Sequence, residues 1–481
     1  MKRLVRVSAV LLSSFILLSS QSAHLFPDAY KISARTCCCQ PENNKFCANT
    51  LTVREILPLF CPDTEDNIKA SAHPAMKTAD PELMRAINRF TVLDTIRRYG
   101  PISRVEISER SQLSTTTVSA ITGSLLDDGL ILTRHEGDIR NAAARGRPRV
   151  MLELNPDAAR VVGAKIAANH MVFVVSNFCG EVISTLSLPI RVNRQPVNVI
   201  ADLVEDGIRR CVVDAGLGLQ DISTVCIGFP GVVEHRTGLV RSSPIVSEPD
   251  IDFASEMTNR LNVATIVESD AHAITLAHHW FGKGRDLDDM VLVSLEHSLG
   301  LGVLHGGQLF RGAGGLSHNL GDLMMGIGLP ETVRLSALAG EAAILGEQTQ
   351  QGRFADAVRL GRGMALAETL IAAEDNALIV AATRAGEAVG IAVANIVTLF
   401  GPPRVIIVGS SLSLGELFLK TLSDSYRSAI PSSIREIAEL VFDPSPDEMW
   451  AQGAAVVALC ELYESPWGTT GPAPAPQPAR G

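Results

Sequence analysis

The stretch VSLEHSLGLGVLHGGQLFRGAGG, from Val293 to Gly315, has the cadence of a phosphate-cradling loop: an apolar strand, a turn, then glycines at close intervals. Glycine suits that chemistry because a backbone without Cβ lets N–H groups come close to phosphate oxygens. Glu296 and His297 stand at the tip of the turn, where a carboxylate repels a polyphosphate. A different chemistry is written in LSTTTVSAITGS and RGRPR. Ser114, Thr115, Thr116, Thr117, Ser119 and Thr122 carry short hydroxyl side chains that approach phosphates and base edges closely. Arg145, Arg147 and Arg149 form a compact cationic run. One stretch points to a nucleotide cleft, the others to DNA.

Local periodicity shows which elements must position these groups. From Pro81, LMRAINRFTVLDTIRRYG sets Ile87, Phe90, Val92, Leu93 and Ile96 at mainly helical spacing, and Gly100 stops the run. SRVEISERSQ is a short second helix capped by Ser103, with Glu106 completing a capping box. A third helix follows, capped by Ser114 and closed by Gly129, and then LILTRHEG and RPRVMLELN alternate like two strands. Three helices and a β-hairpin make the order of a winged helix-turn-helix. Ile107, Leu113, Val118, Ile121 and Leu125 would form its core and leave the hydroxyl residues of the third helix outward. Arg134, Arg140, Arg145, Arg147 and Arg149 crowd the wing against only Glu136 and Asp138, a local basic patch that faces phosphates. RGRPR also has the form of a minor-groove insert. Arg104, Arg145, Arg147 and Arg149 with Ser114, Thr115, Thr116, Thr117, Ser119 and Thr122 make up the expected DNA-contacting set.

The chain of 481 residues is long enough for two or three domains, and 46% hydrophobic content fits an α/β protein. A net charge of −10 excludes a uniformly basic nucleic-acid binder but leaves room for a local basic face. Of nine cysteines, Cys37, Cys38, Cys39, Cys47 and Cys61 lie early, while Cys179, Cys211, Cys226 and Cys460 are scattered in apolar surroundings as reduced thiols would be. The first 23 residues are signal-like, with a basic start and an apolar run, and are alternatively sequence upstream of a start at Met76 or Met84. The expected organisation is a poorly ordered extension over 1–80, a winged helix-turn-helix over 81–155, a two-lobed α/β body over 156–464 and a disordered Pro/Ala-rich tail over 465–481.

The winged helix followed by RGRPRVMLELNPDAARVVG, GFPGVV and ESDAHAITLAHHWFG resembles the ROK family of repressors and sugar kinases, from about residue 85 to 463. The resemblance implies an α/β body with two actin-like, ribonuclease-H-like lobes, a sugar between them and, in kinases, ATP. It also implies that a member with a winged helix is a dimeric repressor modulated by a sugar or sugar phosphate. Several kinase positions depart from the family pattern. Lys165 stands at the acidic position of the first phosphate loop, Ala167 at a glycine and Asn169 near the threonine. Glu296, His297 and Ser298 replace Gly-Thr-Gly, and of the late glycine-rich turn Gly409 remains. These departures lead to the expectation of lost ATP binding, no catalytic residue and no cofactor.

On the sugar side, Asp270 matches the family's general base and Ser269 takes the place of the preceding asparagine. Asn319 and Asp322 take the places of the glutamate and histidine of a later motif, which completes the expected ligand-binding set. No cysteine occurs between residues 322 and 459, so the family's Cys/His zinc site is not expected. The resulting expectation is a cytoplasmic DNA-binding repressor of sugar-related genes, a homodimer or dimer of dimers on a double-stranded operator, with a sugar or sugar-phosphate effector. The alternatives are an active sugar kinase, an exported or tethered sugar-binding protein, and a regulator that acts without an effector.

Overall fold

The computed structural model describes residues 81–135, 150–190, 192, 194–312, 314–326, 332–346, 357 and 363–463, all within the unit Ala79–Gly481. Arg140, Arg145, Arg147 and Arg149, the N-terminal extension and the Pro/Ala-rich tail lie outside the described residues.

Helix α1 (Pro81–Tyr99) turns Val92, Leu93 and Ile96 inward, as their three- and four-residue spacing requires. Strand β1 (Ile102–Ser103) leads into α2 (Arg104–Ser111), whose start carries the capping box. The Glu106 carboxylate accepts the Ser103 N–H at 3.0 Å, and Ser103 Oγ in turn accepts the Glu106 N–H at 3.4 Å. Helix α3 (Thr115–Asp127) begins on Ser114, whose Oγ accepts the Thr117 N–H at 3.1 Å. Strands β2 (Ile131–His135) and β3 (Val150–Leu154) pair antiparallel, and β1 adds to β3 in the order β1-β3-β2. This is a winged helix. Ile107, Val118 and Leu125 are fully buried in its core, with Leu113 and Ile121 packed against them.

Two α/β sheets follow. The first joins β4 (Arg160–Ile166), β5 (His170–Asn177), β6 (Val182–Pro189), β7 (Thr224–Phe229) and β8 (Thr265–Ser269) in the order β8-β7-β4-β5-β6. Strands β4, β5 and β6 form an antiparallel meander, while β7 and β8 add parallel to β4. The second sheet joins β9 (Met290–Leu295), β10 (Leu299–His305), β11 (Gln308–Leu309), β12 (His318–Asn319), β13 (Arg404–Val408) and β14 (Glu439–Asp443). Its order is β11-β10-β9-β13-β14, with β12 paired to β10, and again a meander is followed by two parallel strands. The repeat of one strand order in both sheets is what makes the body two-lobed. Parallel strands covered on both faces need continuous apolar runs, and RVIIV of β13 and MVLVSL of β9 supply them.

The helices that matter for the site are α4 (Val197–Asp214), α5 (Phe253–Leu261), α6 (Asp270–Trp280), α7 (Asn376–Phe400), α8 (Glu416–Ala429) and α9 (Asp447–Leu462). Helix α9 packs on β4 and crosses α6. Gly163 permits this approach, since a Cβ there would stand 2.1 Å from the Ala451 carbonyl oxygen. Helix α7 is long and apolar enough to cross a membrane by length and composition alone. In this structure it carries Ala385, Val389, Val393 and Val397 into the core of the second lobe and lies against α8.

One apolar cluster runs without a break from the winged helix into the body. It contains Val92, Ile96 and Ile107 on one side and Ile274, Ala277, Trp280 and Tyr463 on the other. Tyr463 stacks beside Phe178 and Trp280, with ring centroids 4.8 and 5.5 Å away, and its Oη donates to the Phe178 carbonyl at 2.8 Å.

Candidate functional site

The outer face of α3 carries short side chains. Ser114, Thr115, Thr116, Ser119 and Ala120 are exposed and Thr117 is half-buried. A Cβ built on Gly123 would meet nothing within 4 Å, so the strip Thr116, Ala120, Gly123 is bare of long side chains. A surface without bulk lets a helix sit deep in a groove. Ala120 and Gly123 were missed from sequence because neither carries a polar group, although they share the face of Thr116 at helical spacing.

Thr122 requires a correction. It is fully buried, on the same side of α3 as Val118 and Leu125, and cannot touch DNA. Its Oγ1 accepts a hydrogen bond from Arg104 Nε at 2.9 Å, which anchors α2 to α3. Arg104 is thus engaged within the fold through Nε. Arg134, on the wing strand, is exposed and pairs with Glu153 at 3.2 Å.

Between the two lobes lies a cavity of about 680 Å³. The end of β4 and the turn after it bring Lys165, Asn169 and His170, the start of α6 brings Asp270, and the β9–β10 turn brings Glu296, His297 and Ser298. Gly409 and Ser410 after β13, and Asp447 at the start of α9, close the far side. The expected phosphate loops and Asp270 therefore meet in one space. Ser269 does not line it. That side chain is buried behind the turn, and its backbone N–H donates to Glu268 Oε1 at 2.8 Å.

Asn319 and Asp322 are not among the lining residues either. Asn319 Nδ2 donates to Asp322 Oδ2 at 2.7 Å, and Asp322 is held by an ion pair with Arg334. The reason is local: Asn319 caps the turn by accepting the Gly321 N–H, which turns its amide toward Asp322.

Asp270 is the N1 residue of α6, and its Oδ1 accepts the Ala271 N–H at 2.7 Å. Burial pushes its carboxyl up to about 7, with Lys165 and the backbone N–H pulling the other way. Lys165 is buried, its ammonium 2.6 Å from Asp447 Oδ1 and 4.2 Å above the Trp450 ring. His170 Nε2 faces the other Asp447 oxygen at 2.9 Å. Burial opposes ionisation of Asp447, but His170 and Lys165 hold its carboxyl well below the usual range.

Behind the cavity, Glu268 at the end of β8 is fully buried among His272, His235 and Arg311, at 2.9, 3.0 and 2.9 Å. Burial alone would raise its carboxyl, but Arg311 and the two histidines hold it well below the carboxylate range. This ion cluster locks the β8–α6 corner that presents Asp270.

Helix α6 is buried along its whole length. At its far end the Arg97 guanidinium of α1 lies 4.1 Å from the Trp280 ring centroid, and Arg98 reaches Asp288 at 3.0 Å and His279 at 3.2 Å. One helix therefore touches the cavity with its first residue and the winged helix with its last two.

A model of the ROK family matches residues 162–461, which span both sheets and the cavity between them. The chain belongs to the ROK family. A model of the MarR family also matches residues 87–141, over the winged helix. The ROK chain is 28% identical to the xylose repressor of Caldicellulosiruptor bescii over 357 residues, covering 71% of this chain and 88% of the relative. It is 25% identical to the DNA-binding transcriptional dual regulator NagC of Escherichia coli over 248 residues, covering 50% and 57%.

Among solved structures, a ROK family transcriptional regulator, a homolog of the E. coli MLC protein, superposes with a TM-score of 0.63. It is 22% identical and covers 79% of this chain and 97% of that one. A ROK family glucokinase from Streptomyces griseus, in complex with glucose and AMPPNP, superposes with a TM-score of 0.51. It is 20% identical and covers 62% and 99%. Repressors and kinases thus share the fold of the body, and both curated relatives named here are regulators.

Proposed function

We propose that this ROK protein is a sugar-responsive transcriptional repressor. The observation that carries the reading is the continuity between α3 and the cavity: a winged helix with a bare outer face is tied through α6 to a ROK cleft. In this reading α3 enters the major groove, and Arg145, Arg147 and Arg149 hold the backbone and minor groove. A dimer places two reading heads on a palindromic operator. Ser114, Thr115, Thr116, Thr117 and Ser119 contact phosphates or base edges. Arg104 acts by fixing α2 against α3.

A sugar in the cleft contacts Asp270 and the neighbouring polar groups. To change operator affinity it must bind the two lobe arrangements unequally. Helix α6 then carries the shift to Arg97 and Arg98 at the base of the winged helix. Action on DNA places the protein in the cytoplasm, in keeping with four unpaired cysteines, Cys179, Cys211, Cys226 and Cys460, among the described residues.

The test is operator recovery from genomic DNA followed by binding assays with and without free sugars. Specific, salt-sensitive binding that at least one sugar weakens supports the reading. Binding with no sequence preference sinks it.

Asp270 also favours a second reading, an active sugar kinase, because a carboxyl near 7 suits a general base. Against it, Lys165 occupies the acidic position of the first phosphate loop, paired to Asp447. ATP-dependent phosphorylation of any hexose, lost on Asp270→Asn, would decide for the kinase.

A further inference from the structure

We infer that the ligand of the interlobe cavity is an uncharged, unphosphorylated sugar and that the cavity rejects its phosphate ester. This rests on the sensor reading above and divides the two effector classes that reading leaves open.

The charges facing the cavity are already matched or negative. Among the described residues, Lys165 is the one lysine or arginine in the lining. Its ammonium is 2.6 Å from Asp447, whose second oxygen faces His170 at 2.9 Å. His297 lies 3.3 Å from Glu341. Each of these basic groups therefore faces a carboxylate. Glu296 is in no ion pair among the described residues. Asp270, also outside any ion pair there, joins it as a second negative charge once its carboxyl, pushed up to about 7 by burial, ionises. A phosphate would meet a net negative lining in which no described lysine, arginine or histidine lacks a carboxylate partner.

The backbone donor that follows β13 is also taken. After β13 the chain turns at Gly409, with φ of 116°, and exposes the Ser410 N–H toward the β9–β10 turn. A glycine-bounded N–H of this kind is where an anion would be held. Glu296 Oε1 accepts that N–H at 3.2 Å. The carboxylate occupies the place of a phosphate oxygen, and a phosphate arriving there must displace it without removing its charge from the cavity.

What remains suits hydroxyl groups. Ser298, Ser413 and the Asn169 amide N–H offer neutral polar groups, and Pro230, Pro244 and Ile245 add apolar surface to the same lining. About 680 Å³ accommodates a single sugar ring with its water.

The experiment is titration calorimetry on the full chain with D-xylose, D-glucose, N-acetyl-D-glucosamine and the 6-phosphates of the last two, together with inorganic phosphate. Glucose or N-acetylglucosamine is expected to bind on the order of a hundredfold more tightly than its own 6-phosphate, with no heat from inorganic phosphate. Glu296→Gln, which keeps the shape and removes the charge, narrows that ratio to about tenfold or less. Equal or tighter binding of a 6-phosphate overturns the inference, as does an unchanged ratio in Glu296→Gln shown by its melting curve to be folded. If D-xylose alone among the free sugars binds, D-xylose 5-phosphate takes the place of the hexose esters, and equal or tighter binding of that ester overturns the inference. Silence from every probe removes the sensor reading together with the inference. A phosphate ester that binds well leaves the sensor standing and removes only the charge argument.

Discussion

Asp270 and Trp280 are the first and last residues of one helix that is buried along its whole length. The Asp270 side chain lines the interlobe cavity, while the Trp280 ring lies 4.1 Å below the Arg97 guanidinium of α1. Eleven residues span about 16 Å at the helical rise. A helix packed on all sides has few ways to bend and moves as a body, so a displacement at one end reaches the other.

Removing the Arg97–Trp280 interaction should uncouple the two ends. Arg97→Met keeps the length of the side chain and loses its charge. The free-sugar dissociation constant is expected to stay within about twofold of wild type, whereas the drop in operator affinity caused by sugar shrinks by about 1–2 kcal/mol, or 5- to 30-fold. Fluorescence anisotropy on labelled operator, with and without sugar, reads both quantities. Undiminished release of Arg97→Met by sugar would show that the signal does not pass through Trp280.

Two threonines of α3, six residues apart, should give opposite phenotypes. Thr116→Glu places a carboxylate on the exposed face, and operator affinity is expected to fall about a hundredfold with the melting temperature unchanged. Thr122→Val instead leaves Arg104 Nε without its acceptor inside the fold. It should cost about 1 kcal/mol of stability by denaturant titration while sparing most DNA affinity. If the two variants behave alike, α3 presents a different face to DNA.

The wing arginines are testable through salt. Replacing Arg145, Arg147 and Arg149 together by alanine should weaken operator binding and lower the slope of log affinity against log salt by up to about 3, one for each phosphate left without its arginine. An unchanged slope removes the wing from the interface.

Asp270 makes the cavity sensitive to pH near neutrality. Its folded value of about 7 lies above that of the unfolded chain. The native state therefore keeps a proton that the unfolded state has released. The stability tied to that proton is full below about pH 4 and is lost as pH rises through 7. Lys165 opposes this shift and Glu296 adds to it, and Asp447 with His170 faces Lys165 from the other side. Asp270→Asn should gain on the order of 2 kcal/mol over wild type at pH 8 and little at pH 4. Sugar affinity should rise with pH across the same range as the carboxylate becomes a stronger hydrogen-bond acceptor, and this trend should vanish in the variant. A melting curve and a calorimetric titration at each pH give both answers.

Much of the molecule is legible in the order of its residues. The Ser103–Glu106 capping box, the Ser114 cap, the apolar period of α1 and the alternation in β2 and β3 are local. Each is decided within about one turn or one strand by hydrogen-bonding and hydrophobic spacing. The burial of Thr122 was also legible, because it stands four residues after Val118 and three before Leu125. Its hydroxyl obscured the spacing. Gly300 and Gly302 lie inside β10, where a Cβ would collide with Ala271 and Thr275 of α6, and the cleft turn beside them is the glycine-free Glu296–Ser298.

The rest depends on interactions between distant segments. Lys165 meets Asp447 across 282 positions of chain, and no local pattern on either side announces the pair. Asn319 and Asp322 fit the motif by position, yet the turn they cap directs them to each other and to Arg334. The sequence by itself determined the winged helix and the alternation of strands and helices in the body, because these follow from short-range periodicity and spacing. The residue types in the cleft were legible through the resemblance to ROK motifs. Only the tertiary structure decided which charges in the cavity are neutralised and which helix joins it to the DNA-facing domain. Those are matters of distance in space, set by how the two sheets and α9 pack around α6.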